Sequence, residues 1–229
     1  MTDNFRKRFF EGISIQKNVI SALLFRQLSI KSSQSSLGVI GVFLEPLILI
    51  LVFLGIFILA RGRLVPVINP VVFLIVGIIL FRIFATISLN ASQTFKSYKP
   101  LFFYRPVKPI DAIITTSIQN SCLFVILFIC LLFFTALFSD EFYFNDFPLM
   151  VAAITLLIIF AFSVSIIIMV ACYRFPPLIK VTRFIRRPLF FTSGALFPSV
   201  FIPPAAAKYL LLNPIFHAIE LTRLGTTKG

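Results

Sequence analysis

Ser92-Gln-Thr-Phe-Lys-Ser-Tyr-Lys-Pro-Leu-Phe-Phe-Tyr-Arg-Pro-Val-Lys-Pro-Ile-Asp111 is the stretch on which the reading of the fold turns. It is the one long segment in the middle of the chain that is too polar for hydrocarbon. Lys96, Lys99, Arg105 and Lys108 face a single acid, Asp111, and Pro100, Pro106 and Pro109 punctuate it. Long apolar runs lie on both sides. The expectation is a cytoplasmic elbow between two membrane spans, and the point where force from outside the membrane would enter.

Composition supports that frame. The 229-residue chain is 59% hydrophobic and 13% charged, with a mean hydropathy of +1.03. A soluble domain is about 45–50% apolar and about 25% charged. No water-soluble core of this length absorbs so many Phe, Ile and Leu side chains, so the class is an all-α polytopic membrane protein. The net charge of +13 would suggest nucleic acid in a soluble protein. Here the cations sit in a few short loops, which is how membrane proteins set their orientation, and no nucleic-acid partner is expected. Cys122, Cys130 and Cys172 fall inside apolar runs without a Cys-x-x-Cys pair and read as packing residues.

Working outward, residues 1–36 form an N-terminal arm: a loose basic start to residue 12, then an amphipathic interface helix over Ile13–Lys31. Residues 37–229 form one transmembrane domain. Leu37–Ala60 reads as the first span, with Glu45 and Pro46 inside it, and Pro70–Leu89 as the second, with Arg82. Ile110–Phe138 and Pro148–Cys172 are the third and fourth, since each holds the ~20 apolar residues that crossing needs. The elbow (92–111) and the basic segment Tyr173–Arg187 are expected on the cytoplasmic side with the N-terminus, and the acidic 139–147 loop outside. Pro188–Ile202 reads as a short fifth span, followed by a re-entrant or interfacial hairpin over 203–224.

Enzyme motifs are absent: no phosphate-binding Gly-rich loop, no nucleophile elbow and no zinc-protease His pair. No catalytic, cofactor-binding or metal-binding residue is expected, and any ATP must be hydrolysed elsewhere. Glu45 and Arg82 are the two ionisable residues well inside the first two spans. Charges at such depth need a partner or water, and pairing with each other is the expectation weighed against snorkelling. Thr115, Thr116, Ser117, Gln119 and Asn120 give the third span a polar start, which suits either a conduit wall or helix packing. The aromatic clusters Phe102-Phe103-Tyr104 and Phe142-Tyr143-Phe144 read as an interfacial belt more readily than as sugar platforms. His217, Glu220 and Arg223, three apart, share a helical face and are either a solvated stripe or a cargo contact.

These features together resemble a known family. Ser35–Leu47 with its Leu-Glu-Pro, the Arg82 region, Tyr104–Ala112, Arg186–Pro198 and Leu212–Arg223 resemble the membrane permease of capsular polysaccharide exporters of the ATP-binding-cassette type, relatives of O-antigen and teichoic acid exporters. The resemblance covers nearly the whole chain. It implies an inner-membrane homodimer with its N-terminus in the cytoplasm, working on separate ATPase subunits that bind ATP and magnesium. The interface helix and the elbow would rest on the ATPase, through Lys96, Tyr98, Lys99, Pro100, Arg105 and Lys108. The cargo would be a lipid-linked polysaccharide, handed to periplasmic and outer-membrane partners. Thr115, Thr116, Gln119, Asn120, His217, Glu220 and Arg223 are the candidate conduit or cargo contacts. The family's last span is expected to be missing after Leu224. Rival readings are an exporter of O-antigen, another lipid or a drug, a membrane-embedded transferase, and a channel or scaffold.

Overall fold

The computed structural model describes residues 2–33, 36–59, 69–103, 107–138, 145–196, 208 and 210–226. Among these residues every regular element is helical: α1 (Thr2–Ser33), α2 (Ser36–Leu59), α3 (Pro70–Ser88), α4 (Ala91–Tyr98), a 3-10 turn (Lys99–Phe103), α5 (Pro109–Phe138), α6 (Phe147–Arg174), α7 (Leu178–Thr192) and α8 (Pro214–Thr226). The chain is an all-α polytopic membrane protein. Among the described residues α3, α5 and α6 have the length and apolarity to cross a membrane, and the apolar part of α2 is the shorter Phe43–Leu59.

The hub is α3. Its apolar residues run all round the helix, and Leu74, Val76, Ile78, Ile79, Leu80 and Ile83 are wholly buried. A helix apolar on every side needs neighbours on every side. α2 runs antiparallel to it, with Phe57 edge-on to Phe73 at 6.4 Å and Glu45 beside Arg82. α6 stacks Phe160 on Phe84 at 5.8 Å, and α7 sets Phe190 against Phe81 at 5.0 Å. α5 and α6 turn Ile126, Phe133, Phe134, Ile159 and Ile167 outward, the side suited to lipid.

Helix starts follow local chemistry. Asn69 precedes Pro70, and its Oδ1 accepts from the Val71 N–H at 3.0 Å. Asn213 precedes Pro214 and accepts from the Ile215 N–H at 3.1 Å. An Asn N-cap followed by Pro at the first helical position satisfies one orphan donor and removes another.

Two expectations are corrected. The N-terminal arm is helical from Thr2, not loose to residue 12. The basic segment and the start of the fifth span are one helix, α7, with Pro188 inside it. A proline's fixed φ fits a helix and costs one hydrogen bond and a local clash, while the spacing of Ile179, Phe190 and the cations suits a single amphipathic element. α7 ends at Gly194, whose φ of 70° is the left-handed conformation that closes a helix. The remainder of the expected fifth span (197–202) and the start of the hairpin (203–207) lie outside the described residues, as does the 139–144 part of the acidic loop.

Candidate functional site

The elbow is a folded unit. Lys96, Pro100 and Lys108 are exposed along α4, the 3-10 turn and the approach to α5; Arg105 and the Lys99 side chain lie outside the described residues. Tyr98, expected to contact the ATPase, is buried within the chain. It is 3% exposed, packed with Leu23 of α1 and Ala112 of α5, and lies 5.9 Å beneath the Arg26 guanidinium. A phenol ring beside an apolar helix face gains by leaving water. Burial pushes its hydroxyl up to about 12, with the Arg26 charge pulling the other way.

Asp111, read from the sequence only as the single acid of the elbow, is 1% exposed. It accepts from Gln16 Nε2 at 3.0 Å and from the Lys108 N–H at 2.9 Å. This is the return half of a capping box, an acid at the third helical position reaching back to the N-cap. The signal for it was Pro109 at the first helical position with an acid two residues on. α1 and the start of α5 are thereby joined.

Aromatic rings tie the elbow to the end of α6. Phe95 contacts Phe102 and Tyr173, both at 5.4 Å. They flank a cavity of about 540 Å3 that Phe103, Pro109 and Met169 also line. Tyr104 and the Phe142–Phe144 cluster lie outside the described residues.

Glu45 and Arg82 form an ion pair between α2 and α3; the Arg82 side chain is 12% exposed and that of Glu45 66%. Arg186 of α7 is within electrostatic reach of both. The sequence reading placed Arg186 in a cytoplasmic segment and did not join it to them.

On α5 the polar residues divide by face. Thr115 and Gln119, one turn apart, are buried inside the chain, and the Thr115 hydroxyl donates to the Asp111 carbonyl at 2.7 Å. Thr116 and Asn120 are half-buried on the next face. Ser117 is buried, and among the described residues its hydroxyl has no hydrogen-bond partner.

His217, Glu220 and Arg223 do not form a solvated stripe. His217 is exposed, with Nε2 2.6 Å from the Leu211 carbonyl. Glu220 stands at the rim and accepts from Arg223 at 3.0 Å. Arg223 is 2% exposed and donates to the Ala195 carbonyl at 3.0 Å. So enclosed, the Arg223 side chain holds α8 against α3. The physical reason is that α8 buries Ile215, Ile219 and Thr222 on the same side, which carries Arg223 inward. Close approach is needed at two glycines. A Cβ on Gly77 would stand 2.2 Å from the Ala195 carbonyl oxygen, and one on Gly194 would stand 2.5 Å from the Phe216 ring.

The chain matches no family model. It is 35% identical over 218 residues to the polysialic acid transport protein KpsM of Escherichia coli, across 95% of this chain and 84% of that protein. It is 27% identical over 226 residues to the capsule polysaccharide export inner-membrane protein CtrC of Neisseria meningitidis serogroup B, across 95% and 82%. It is 25% identical over 223 residues to the capsule polysaccharide export inner-membrane protein BexB of Haemophilus influenzae, again across 95% and 82%.

Proposed function

The chain belongs to the family of capsule polysaccharide export inner-membrane proteins, and from that premise we propose that it moves a lipid-linked capsular polysaccharide across the inner membrane, driven by a separate ATPase subunit that grips the elbow. As a member of the family it is the transmembrane subunit of an exporter and lies in the inner membrane. The observation that carries the mechanism is the construction of the elbow. Lys96, Pro100 and Lys108 are offered outward, while Tyr98 and Asp111 lock the same segment to α1 and α5. A push on exposed cations would therefore move α1, α4 and α5 as one body.

In this mechanism the N-terminus and the elbow face the cytoplasm, where positive loops are retained. ATP and magnesium bind the partner, and ATPase closure rocks α5 against the α3 hub. Two copies of the chain enclose the route. Thr116 and Asn120 are better placed than the buried Thr115 and Gln119 to line it. Periplasmic and outer-membrane proteins would receive the polymer.

The test is a tagged chain in its own cell envelope. It should co-purify a Walker-motif ATPase, and its deletion should remove capsule from the surface while polymer accumulates inside. Recovery of the chain without any ATPase, with capsule display unchanged by the deletion, would overturn the reading.

A further inference from the structure

The ion pair of α2 and α3 has a neighbour that leaves it unbalanced. Glu45 is nine residues into α2, Arg82 six residues before the end of α3, and Arg186 eight residues into α7. At ~1.5 Å per residue Arg82 and Glu45 stand roughly 9 and 14 Å from the end of the bundle that carries the elbow, and Arg186 is on the helix that starts from that end. Phe81 and Phe190, in contact at 5.0 Å, clamp α7 to α3 at this level. Arg186 is one helical turn before Phe190, on the same face, and is half-buried. Two guanidinium groups are thus within electrostatic reach of one carboxylate.

No other carboxylate of the described ion pairs and hydrogen bonds is at hand. Asp111 is engaged by Gln16 and the Lys108 N–H, and Glu220 is engaged by Arg223 on α8. Arg186 is in no described ion pair, although it feels both Arg82 and Glu45. An unmatched charge held below the surface of a bilayer is costly, and such charges sit where they meet a counter-charge, water or a pathway. Guanidinium forks prefer oxyanions, phosphate esters above all, because several donors meet several oxygens at once.

We infer that Arg82 and Arg186, half-neutralised by Glu45, form an anion site that draws the phosphate head of a membrane amphiphile below the level of the surrounding headgroups. This deepens the exporter reading and rests on it: the amphiphile would be the anchored end of the cargo, engaged on the elbow side before the sugar chain follows. Glu45 sets the strength of the site. It holds Arg82 in place, and its 66% exposed carboxylate keeps the pocket from retaining the phosphate too tightly.

The experiment uses the full chain purified in an uncharged maltoside detergent, with thermal melting followed during titration by dodecyl phosphate. The wild-type melting temperature should rise and saturate. Arg186→Gln should raise the half-saturating concentration about tenfold, the worth of one charge-assisted contact. Arg186→Lys should recover part of that loss. Glu45→Gln should tighten binding, which a merely structural ion pair would not do. Arg183→Gln, an exposed cation of α7, should leave binding unchanged. Equal effects of Arg186→Gln and Arg183→Gln would reduce the site to general surface charge and overturn it. So would a rise of the same size with inorganic phosphate, which would make the ligand a water-borne anion. If Arg186→Gln does not fold, the Glu45→Gln and Arg186→Lys titrations decide alone: no tightening in the first and no weakening in the second overturns the site. Capsule display and ATPase co-purification are read separately, so the anion site can fall while the exporter reading stands.

Discussion

Arg223 lays its guanidinium 3.6 Å from the centroid of the Phe73 ring, joining the last described helix to the start of the hub helix across 150 positions of sequence. The same group bonds the Ala195 carbonyl and Glu220, so one side chain closes three segments. Arg223→Ala should cost ~2–4 kcal/mol, since it leaves a buried carbonyl and a half-buried carboxylate without their donor. Phe73→Leu removes the cation–ring contact and the edge-on contact with Phe57 and should cost ~1–2 kcal/mol beyond its lost area. Thermal melting with a thiol-reactive dye reports both through exposure of the buried Cys172. Equal melting temperatures for wild type and Arg223→Ala would refute the clamp.

Gly77 tests the same clamp from the other side. A Cβ there would stand 2.8 Å from the Arg223 guanidinium as well as against the Ala195 backbone. Backbone cannot swing away as a side chain can, so Gly77→Ala should cost ~1–3 kcal/mol in overpacking. Gly55 has nothing within 4 Å of its would-be Cβ. Gly55→Ala should therefore be neutral or gain up to ~1 kcal/mol of helix propensity. The two variants, melted side by side, separate packing from propensity.

The bounds of α3, α5 and α6 were legible because apolar run length alone decides which segments fit a bilayer. The elbow was legible by contrast with them. Burial of Tyr98 and Arg223 was not, because a polar residue on a helix faces in or out according to which neighbour arrives, and that neighbour is far away in sequence. α7 was misread for a related reason. Pro188 resembles a break, and only the packing of Phe190 on Phe81 makes a helix through it worth its cost. The Glu45–Arg82 contact was one of several weighed possibilities, and Arg186 beside it had no local signal beyond its place among other cations.

Asp111 joins the start of α5 to α1. Asp111→Ala should loosen α1 by removing the Gln16 bond and uncap α5 by freeing the Lys108 N–H, at a cost of ~1–2 kcal/mol. Gln16→Leu removes only the first and should cost less. Hydrogen exchange over α1 and over the first turn of α5 distinguishes them. Asp111→Ala should raise exchange in both segments, and Gln16→Leu in α1 alone.

Tyr98 gives the elbow an alkaline limit. Its folded pKa is raised from 10.0 to about 12, so the buried ring stays neutral after an unfolded chain would have ionised. The raised value contributes stability that is complete below pH 10 and lost as pH climbs through about 12. Melting temperature of the wild type should fall more steeply between pH 10 and 11 than that of Tyr98→Phe, which has no proton to lose. Parallel curves would show that the hydroxyl is not in the enclosed setting described.

The Glu45–Arg82 pair ties α2 to the hub at membrane depth, and its sign pattern is open to reversal. Glu45→Arg sets two guanidinium groups against each other with Arg186 close by, and Arg82→Glu sets two carboxylates together. Each single change should lower both melting temperature and capsule display. The exchanged double variant restores an opposite-charge pair in the same place and leaves the sum of charges with Arg186 unchanged. It should recover stability with a coupling of ~0.5–3 kcal/mol relative to the singles. The lower part of that range is expected, because the Glu45 side chain is 66% exposed and water or lipid headgroups share its charge. Recovery of stability without recovery of export would separate the two roles of the pair. Charge complementarity would then hold α2 in place, while the orientation of Arg82 toward Arg186 would serve transport. A double variant no better than either single change would mean that the contact between the two side chains does not hold the helices together.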